Sequence, residues 1–377
     1  MEANSIIKKN YKIESKEEKT EILFHSNPSK IQFYKDLTNN SYCQYWSDNT
    51  FSLFKSFNNI FYIVYANKFY SIIFLNLTTN QIIIEIKHAH KNYITHFSHC
   101  FDEINKRDLL ISLSDDDNDL KLWNINNFEC ILNIKNGISF SSACFLKDHN
   151  QYYIVTCNDN NKYGNINPIK IFDLKGNKIK EINYLNDSTY FIDTYYDKNL
   201  SKNFIITGNG GYSQSYDYNE NKIYFKYIEK NNEDTSTIYH RCIIIDDSDK
   251  VIKMIESSSA GIIRIWDFHS RKLLNKINIY IDWLNSLCLW KEDYLFVGCS
   301  DKSIKLINLN TKKVIKELKG HRDRILSIKK IIHPKYGECL ITQDADKSQI
   351  KLWIISKFTI YSYFFNSVIM VVGHMPF

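Results

Sequence analysis

The chain has 377 residues, 44% apolar, 15% aromatic and 24% charged, and a net charge of +6 at neutral pH. That is the composition of a globular protein long enough to bury a core in one large domain or two ordinary ones. A charge this mild is no ground for a nucleic-acid partner, and nine cysteines without a single C-x-x-C pair are no disulfide or zinc framework.

Residues 1–43 form an N-terminal extension. Its start, MEANSIIKKNYKIESKEEKTE, lacks the apolar core of a signal peptide. With the odd number of scattered cysteines, this points to reduced thiols and to the cytoplasm, with the nucleus as the alternative. Residues 14–21 are a charged, solvated stretch, and 21–34, EILFHSNPSKIQFY, has the composition of a strand.

From 44 to 365 one pattern recurs: SIIFLNLTT (71–79), SDDDNDLKLWNI (114–125), PIKIFDLKG (168–176), YSQSYDYNE (212–220), GIIRIWDF (261–268), SIKLINLN (303–310) and QIKLWIIS (349–356). The large residue in each copy falls at Phe74, Trp123, Phe172, Tyr216, Trp266, Ile307 and Trp353, at intervals of 49, 49, 44, 50, 41 and 46. Seven recurrences at a period in the mid-forties indicate a repeat architecture. Within 279–319 the unit reads WLNSLCLW, YLFVGCS, a turn at Asp301–Lys302, SIKLINL, the turn NTKK, and VIKEL. That is four short alternating strands with no helix-length segment between them. One such sheet cannot bury both faces, whereas seven arranged radially can. The predicted units are 45–88, 89–136, 137–183, 184–230, 231–278, 279–319 and 320–365, followed by a tail over 366–377. The uncharged run at 358–372 is shorter than the roughly 17–25 residues of a spanning helix, and its β-branched and aromatic content suits an outer strand, so no stable membrane insertion is expected. Either this run or 21–34 can supply the strand that closes the ring.

These repeats resemble those of the WD40 family of seven-bladed β-propellers, and the resemblance covers roughly residues 45–365. In that family a Gly-His precedes the first strand, a Ser or Thr ends the second, an Asp sits in the next turn and a Trp lies on the third. His90, Ser112, Asp116 and Trp123 match these places in one copy, and Gly320-His321, Thr342, Asp346 and Trp353 in another. The resemblance implies an all-β propeller of four-stranded antiparallel blades, in which each such set forms a hydrogen-bonded structural network. Other copies depart from the pattern: the sixth has Ile307 for the Trp, and Trp266-Asp267, the one literal Trp-Asp pair, follows a turn without an Asp.

Candidate chemical sites read as structure. Asp115, Asp117 and Asp119 alternate as in a calcium loop, but its sixth and twelfth positions hold Leu120 and Asn126, so the segment is a hairpin turn. His88, His90, His96, His99 and Cys100 lie within 13 residues, yet on one strand His96 and His99 point to opposite faces, and no metal site is assigned. TGNGGYS (207–213) lacks the phosphate-loop spacing. No catalytic residue and no cofactor is predicted.

The basic stretch 311–330 carries eight Lys or Arg against Glu317 and Asp323, alternating with apolar residues as outer strands do. Weak contact with RNA or an acidic lipid is considered for its Lys312, Lys313, Lys316, Lys319 and Arg322, although the F-R-R-G motif of phosphoinositide-binding relatives is absent. The resemblance further implies that the residue before each first strand lies on the narrow upper face. Those residues are Tyr93, Ser139, Tyr190, Thr237, Trp283 and Arg324. Tyr93, Tyr190, Trp283 and Arg324 are of the types that dominate interaction hot spots, and they form the predicted partner-binding face.

The expected function is that of a non-catalytic scaffold or adaptor in an intracellular complex, its partners other proteins. An RNA- or phosphoinositide-associated propeller is the alternative. A ubiquitin-ligase substrate receptor is weakened because Trp266-Asp267-Phe268 is followed by His269 rather than the expected Arg. A G-protein β subunit is disfavoured because residues 1–43 show no heptads.

Overall fold

RDLLISLS and YLFVGC are short, nearly continuous apolar runs between polar turns, the pattern of strands buried on both faces, and they form strands (Arg107–Ser114 and Tyr294–Cys299). The computed structural model describes residues 28–38, 41–42, 49–114, 118–135, 140–158, 169–183, 189–209, 211–229, 239–245, 252–279, 283–291, 293–345, 349–355, 360–365 and 368–373; for 239–245, 360–365 and 368–373 it describes the backbone only. Among the described residues the one helical piece is the single 3-10 turn Pro28–Lys30.

The strands form seven four-stranded antiparallel sheets, the blades of a propeller. Blade 1 is Phe51–Lys55, Phe61–Ala66, Ile72–Asn76 and Gln81–Ile86. Blade 2 is Ile94–Asp102, Arg107–Ser114, Asp119–Asn124 and Glu129–Lys135. Blade 3 is Phe140–Asp148, Gln151–Asn158, Ile169–Asp173 and Lys178–Ile182. Blade 4 is Thr189–Asp197, Lys202–Asn209, Ser213–Asp217 and Lys222–Tyr227. Blade 5 is Tyr239–Ile245, Lys253–Ser258, Ile262–Asp267 and Leu273–Asn278. Blade 6 is Leu284–Trp290, Tyr294–Cys299, Ile304–Asn308 and Lys313–Leu318. Blade 7 takes Ile325–His333, Gly337–Asp344 and Ile350–Ile355 from the end of the chain and Ile31–Thr38 from its beginning. Innermost strands touch in ring order, and Phe51–Lys55 meets Ile325–His333 to complete the circle.

The core is not one mass but seven wedges, one at each seam between blades. Phe54, Val64, Phe97 and Trp123 fill the seam of blades 1 and 2; Phe296, Leu306, Leu340 and Trp353, with Ile31, fill that of blades 6 and 7. Burial falls outward within a blade: Leu109 to Leu113 in blade 2 are inaccessible, whereas Ile82 and Ile83 on the outer strand of blade 1 are exposed. This is the radial packing that lets two-faced sheets bury both sides.

The ring is closed from the N-terminal side, by a strand that overlaps the candidate 21–34 only from Ile31 and runs on to Thr38; residues 21–27 lie outside the described residues. Ile31–Thr38 pairs antiparallel with Ile350–Ile355, matching Phe33 to Trp353 and Asp36 to Lys351. The Lys351 ammonium lies 2.6 Å from the Asp36 carboxylate, and Lys316 of blade 6 donates to the carbonyls of Ser29 and Ile31 at 2.6 and 2.5 Å. The propeller strands therefore run from Ile31 to Ile355. Ile360–Phe365 pairs instead with Val368–Gly373 in a two-stranded sheet of its own. Among the described residues no helix is long and apolar enough to cross a membrane.

Two irregularities recur and fix which residues are equivalent. In blades 2 to 7 the inner strand carries a bulge after its first residue. In blades 1 to 6 a second bulge precedes the large residue of the third strand. In blade 1 this second bulge lies between Phe74 and Leu75, so the residue equivalent to Trp123 is Leu75, not Phe74. The following residue is then Asn76, Asn124, Asp173, Asp217, Asp267 or Asn308 in blades 1 to 6. In each of these blades its side-chain oxygen accepts a backbone N–H from the next turn. The acidic half of the Trp-Asp pair is thus a turn cap, and Asn serves equally.

Candidate interaction face

The residue that leads into an inner strand is stitched to the turn between the second and third strands of its own blade. Ser300 N–H donates to the Trp283 carbonyl at 3.0 Å, and Ala345 N–H to the Arg324 carbonyl at 2.9 Å. Both kinds of loop therefore share one face of the disc, the upper face.

On this face the Arg324 guanidinium of blade 7 lies 5.7 Å from the ring centre of Trp283 of blade 6, within cation–π range, and both side chains are half-buried. Tyr93, of blade 2, is apart from them. Its ring stacks on Tyr42 at 4.6 Å and meets the edge of Tyr70 at 5.1 Å. Tyr42 is held there by its N–H, which donates to the Ala66 carbonyl at 2.8 Å. Two of the four expected partner-binding residues are thus brought together and a third is roofed by the chain's own N-terminal segment.

Tyr190 is a correction. It occupies the bulged position of its strand, equivalent to Thr95, Asn285 and Leu326, two residues beyond the place of Trp283. The strand begins at Thr189, so Tyr190, expected just before the strand, is its second residue, and the extra residue of a bulge shifts the assignments around it by one. Ser139 and Thr237 lie outside the described residues.

The structural sets are assembled as hydrogen-bonded groups. His90 Nε2 shares a 2.7 Å hydrogen bond with Ser112 Oγ, which also accepts from Trp123 Nε1 at 2.8 Å. In blade 7 His321 Nε2 and Trp353 Nε1 meet Thr342 Oγ1 at 2.6 and 2.8 Å. Burial, with Lys121 adding to it, pushes the His90 pKa down to about 3 and so keeps the ring neutral. Asp116 and Asp346 lie outside the described residues. The carboxylate beside His321 is Asp344, 3.2 Å from Nδ1, and it accepts the N–H groups of Arg322 and Gln349 at 3.0 and 2.8 Å. Asp344 stands two residues from Thr342 on one strand, hence on the same face, and that spacing was the missed signal. The Ser112→Ala variant is expected to lose about 1–3 kcal/mol, because Trp123 Nε1 and His90 Nε2 both lose their buried hydrogen-bond partner; urea unfolding against wild type measures it.

Blade 5 replaces the hydroxyl by a carboxylate, which sequence reading missed. Glu256 pairs with Arg264 across the sheet as Ser112 pairs with Lys121. It is fully buried and accepts from Trp266 Nε1 at 3.1 Å. Arg264, 1% exposed, has Nη1 3.9 Å from Glu256 and Nε 3.3 Å from Glu229, which also binds Lys276.

The clustered histidines diverge. His90 is in the network above, His96 Nε2 bonds the Ala143 carbonyl at 2.7 Å, and His99 bonds Asp108 at 2.9 Å while stacking on Phe54. Ser114 pairs with Asp119 across adjacent strands, and residues 115–117, the rest of the calcium-loop candidate's start, lie outside the described residues. His269 Nε2 lies 2.9 Å from the Asp197 carboxylate and its Nδ1 shares a 3.2 Å hydrogen bond with the Tyr224 hydroxyl, so the residue after Trp266-Asp267-Phe268 ties blade 5 to blade 4.

The basic stretch is dispersed. Lys312 and Lys313 sit at the lower end of an outer strand spanning about 20 Å, and Arg322 is exposed at its upper end. Lys319 lies 3.6 Å from Glu317. Lys316 is engaged by the carbonyls of the N-terminal segment, which corrects its reading as an RNA or lipid contact.

Low on the inner strands of blades 2 to 4 a cavity of about 320 Å³ is lined by His99, Cys100, Cys144, Lys147, Asp193 and Tyr196, among others. Burial pushes both thiols well above their ordinary range, which keeps them protonated and poor nucleophiles.

No family model matches the chain. Over 111 residues it is 24% identical to the U3 small nucleolar RNA-associated protein 21 homolog of Schizosaccharomyces pombe. The matched stretch is 29% of this chain and 12% of that protein, so the chain spans a small part of the relative's length.

Proposed function

We propose that this propeller is a non-catalytic scaffold that holds protein partners on its upper face, in an assembly of the kind that contains small nucleolar RNA. The observation that carries the reading is the Arg324–Trp283 pair: a half-buried aromatic capped by a guanidinium, at the mouth of a rigid ring, is hot-spot chemistry. The partial likeness to an RNA-associated protein supports the RNA-containing assembly, and with it the nucleus over the cytoplasm. Direct RNA binding by this chain is the weaker version, because Lys312 and Lys313 are a strand length from Arg322 and Lys316 is engaged internally.

The test is recovery of the tagged protein from native lysate, with and without ribonuclease, for wild type and for Trp283→Ala/Arg324→Ala. Matched thermal unfolding of the two forms must come first. Losing two hot-spot side chains is expected to reduce co-recovered proteins at least tenfold, at about 2 kcal/mol or more per residue. A partner set unchanged in the variant refutes the upper face, and one lost only to ribonuclease means that RNA makes the contact.

A further inference from the structure

Blade 7 has two strands suited to one position. In blades 1 to 4 and 6 the third strand is joined to the outer strand by four residues, and in blade 5 by five. Ile355 and Ile360 are also separated by four residues, and Ile360–Phe365 has the six-residue length of Gln81–Ile86, Lys222–Tyr227 and Lys313–Leu318. In blades 2, 4, 5 and 6 the buried anchor of the outer strand falls 11 residues after the large third-strand residue (Ile134 after Trp123, Tyr227 after Tyr216, Ile277 after Trp266 and Leu318 after Ile307), and in blade 3 it falls 10 after, at Ile182. Eleven residues after Trp353 stands Phe364. By connection, length and anchor spacing, Ile360–Phe365 is the outer strand that a seventh repeat would make for itself.

The position is held by Ile31–Thr38, and Ile360–Phe365 pairs on one edge with Val368–Gly373. A ribbon of two strands is marginal by itself in water, and its second edge is a template for pairing. Its sequence, IYSYFF against VIMVVG, has no charge to discourage that pairing. We propose that Ile360–Phe365 is an alternative outer strand for blade 7, exchanging with Ile31–Thr38 on the edge of Ile350–Ile355.

The resident strand is favoured by the Asp36–Lys351 ion pair, by Phe33 set edge-on to Trp353 at 5.6 Å, and by the two carbonyls bound to Lys316. The challenger is favoured by a short turn, since closing four residues costs far less chain entropy than bringing the two ends of the propeller together. Exchange keeps the ring four strands thick at every blade and releases residues 31–38, with Phe33 and Tyr34, as a strand that another sheet edge can take up.

Hydrogen exchange on the full chain tests this. Phe33→Ala/Asp36→Ala weakens the resident strand without touching the challenger. Exchange at 31–38 is expected to speed up at least tenfold, 350–355 to stay protected as in wild type, and 360–365 to slow at least tenfold. Adding Phe364→Asp should then strip protection from 350–355. The proposal is overturned if 350–355 loses protection in the first variant without any slowing at 360–365, or if Phe364→Asp changes nothing. Should Phe33→Ala/Asp36→Ala leave 31–38 protected, Ile31→Asp, at a fully buried position, applies the same comparison with more force. Global unfolding of that variant also counts against exchange, which would have rescued the blade.

Discussion

Replacing Trp353 with alanine is expected to destabilise the protein by about 3–5 kcal/mol, the range for removing a large buried aromatic. Trp353 is 2% exposed in the seam of blades 6 and 7, where it packs with Ile31, Leu340 and Ile355. It also carries a polar duty, donating Nε1–H to Thr342 Oγ1, and it is the surface on which Phe33 of the closing strand rests. Trp353→Phe keeps most of the volume and gives up the donor, so it should cost less, about 1–2 kcal/mol. Urea unfolding followed by far-UV circular dichroism measures both. Hydrogen exchange should show 31–38 losing protection first in the alanine variant, because that strand sits on the cavity. A cost near the ~0.5 kcal/mol of an ordinary surface change would mean that the seam does not bind the ring together.

How far the sequence could be read follows from which interactions are local. Alternation and spacing are local, and they exposed seven repeats of four strands although no family model matches. Assignments failed by one or two residues where a bulge intervenes, as at Tyr190, because a bulge is set by the partner strand. They failed too where adjacent residues were equally apolar, as at Phe74 and Leu75, and there Asn76 was the unread marker, since its turn hydrogen bonds place the residue before it. Asp344 was passed over for Asp346 because the turn was read as a motif and not as an i, i+2 face. The choice of closing strand was illegible for a different reason. Both 31–38 and 360–365 have strand composition, and what separates them is long-range: Asp36 against Lys351, and Lys316 against two carbonyls. Of the upper face, residue type and position were readable for Trp283 and Arg324, while their contact across two blades and the stacking of Tyr42 on Tyr93 were not.

The buried pair in blade 5 gives the second large effect, and one whose sign depends on pH. Burial raises the Glu256 carboxyl from its ordinary 4.5 to about 7, against the opposing pull of the Ser213 hydroxyl, Arg264 and Trp266. Between those two values the folded protein holds a proton that the unfolded chain has released, so stability is fully present below about pH 4.5 and is lost as pH rises through 7. The loss is on the order of 3 kcal/mol over that window, because each tenfold change in proton affinity is worth about 1.36 kcal/mol. Glu256→Gln keeps an oxygen for Trp266 Nε1 but has no proton to release, so the stability of wild type relative to this variant should fall by that amount across the same range. Arg264 would still have Glu229. Arg264→Leu does the reverse: it removes the one cation within 4 Å of Glu256 among the described residues and leaves the buried carboxylate with the neutral donors Ser213 and Trp266 and no counter-charge. That variant is expected to lose about 3–5 kcal/mol at pH 8, and less at pH 5.5, where Glu256 is protonated and neutral. Unfolding in urea at pH 5.5, 7 and 8 for wild type and both variants decides it. An Arg264→Leu penalty that did not grow with pH would mean that Glu256 stays protonated throughout and that the arginine acts through Glu229 alone.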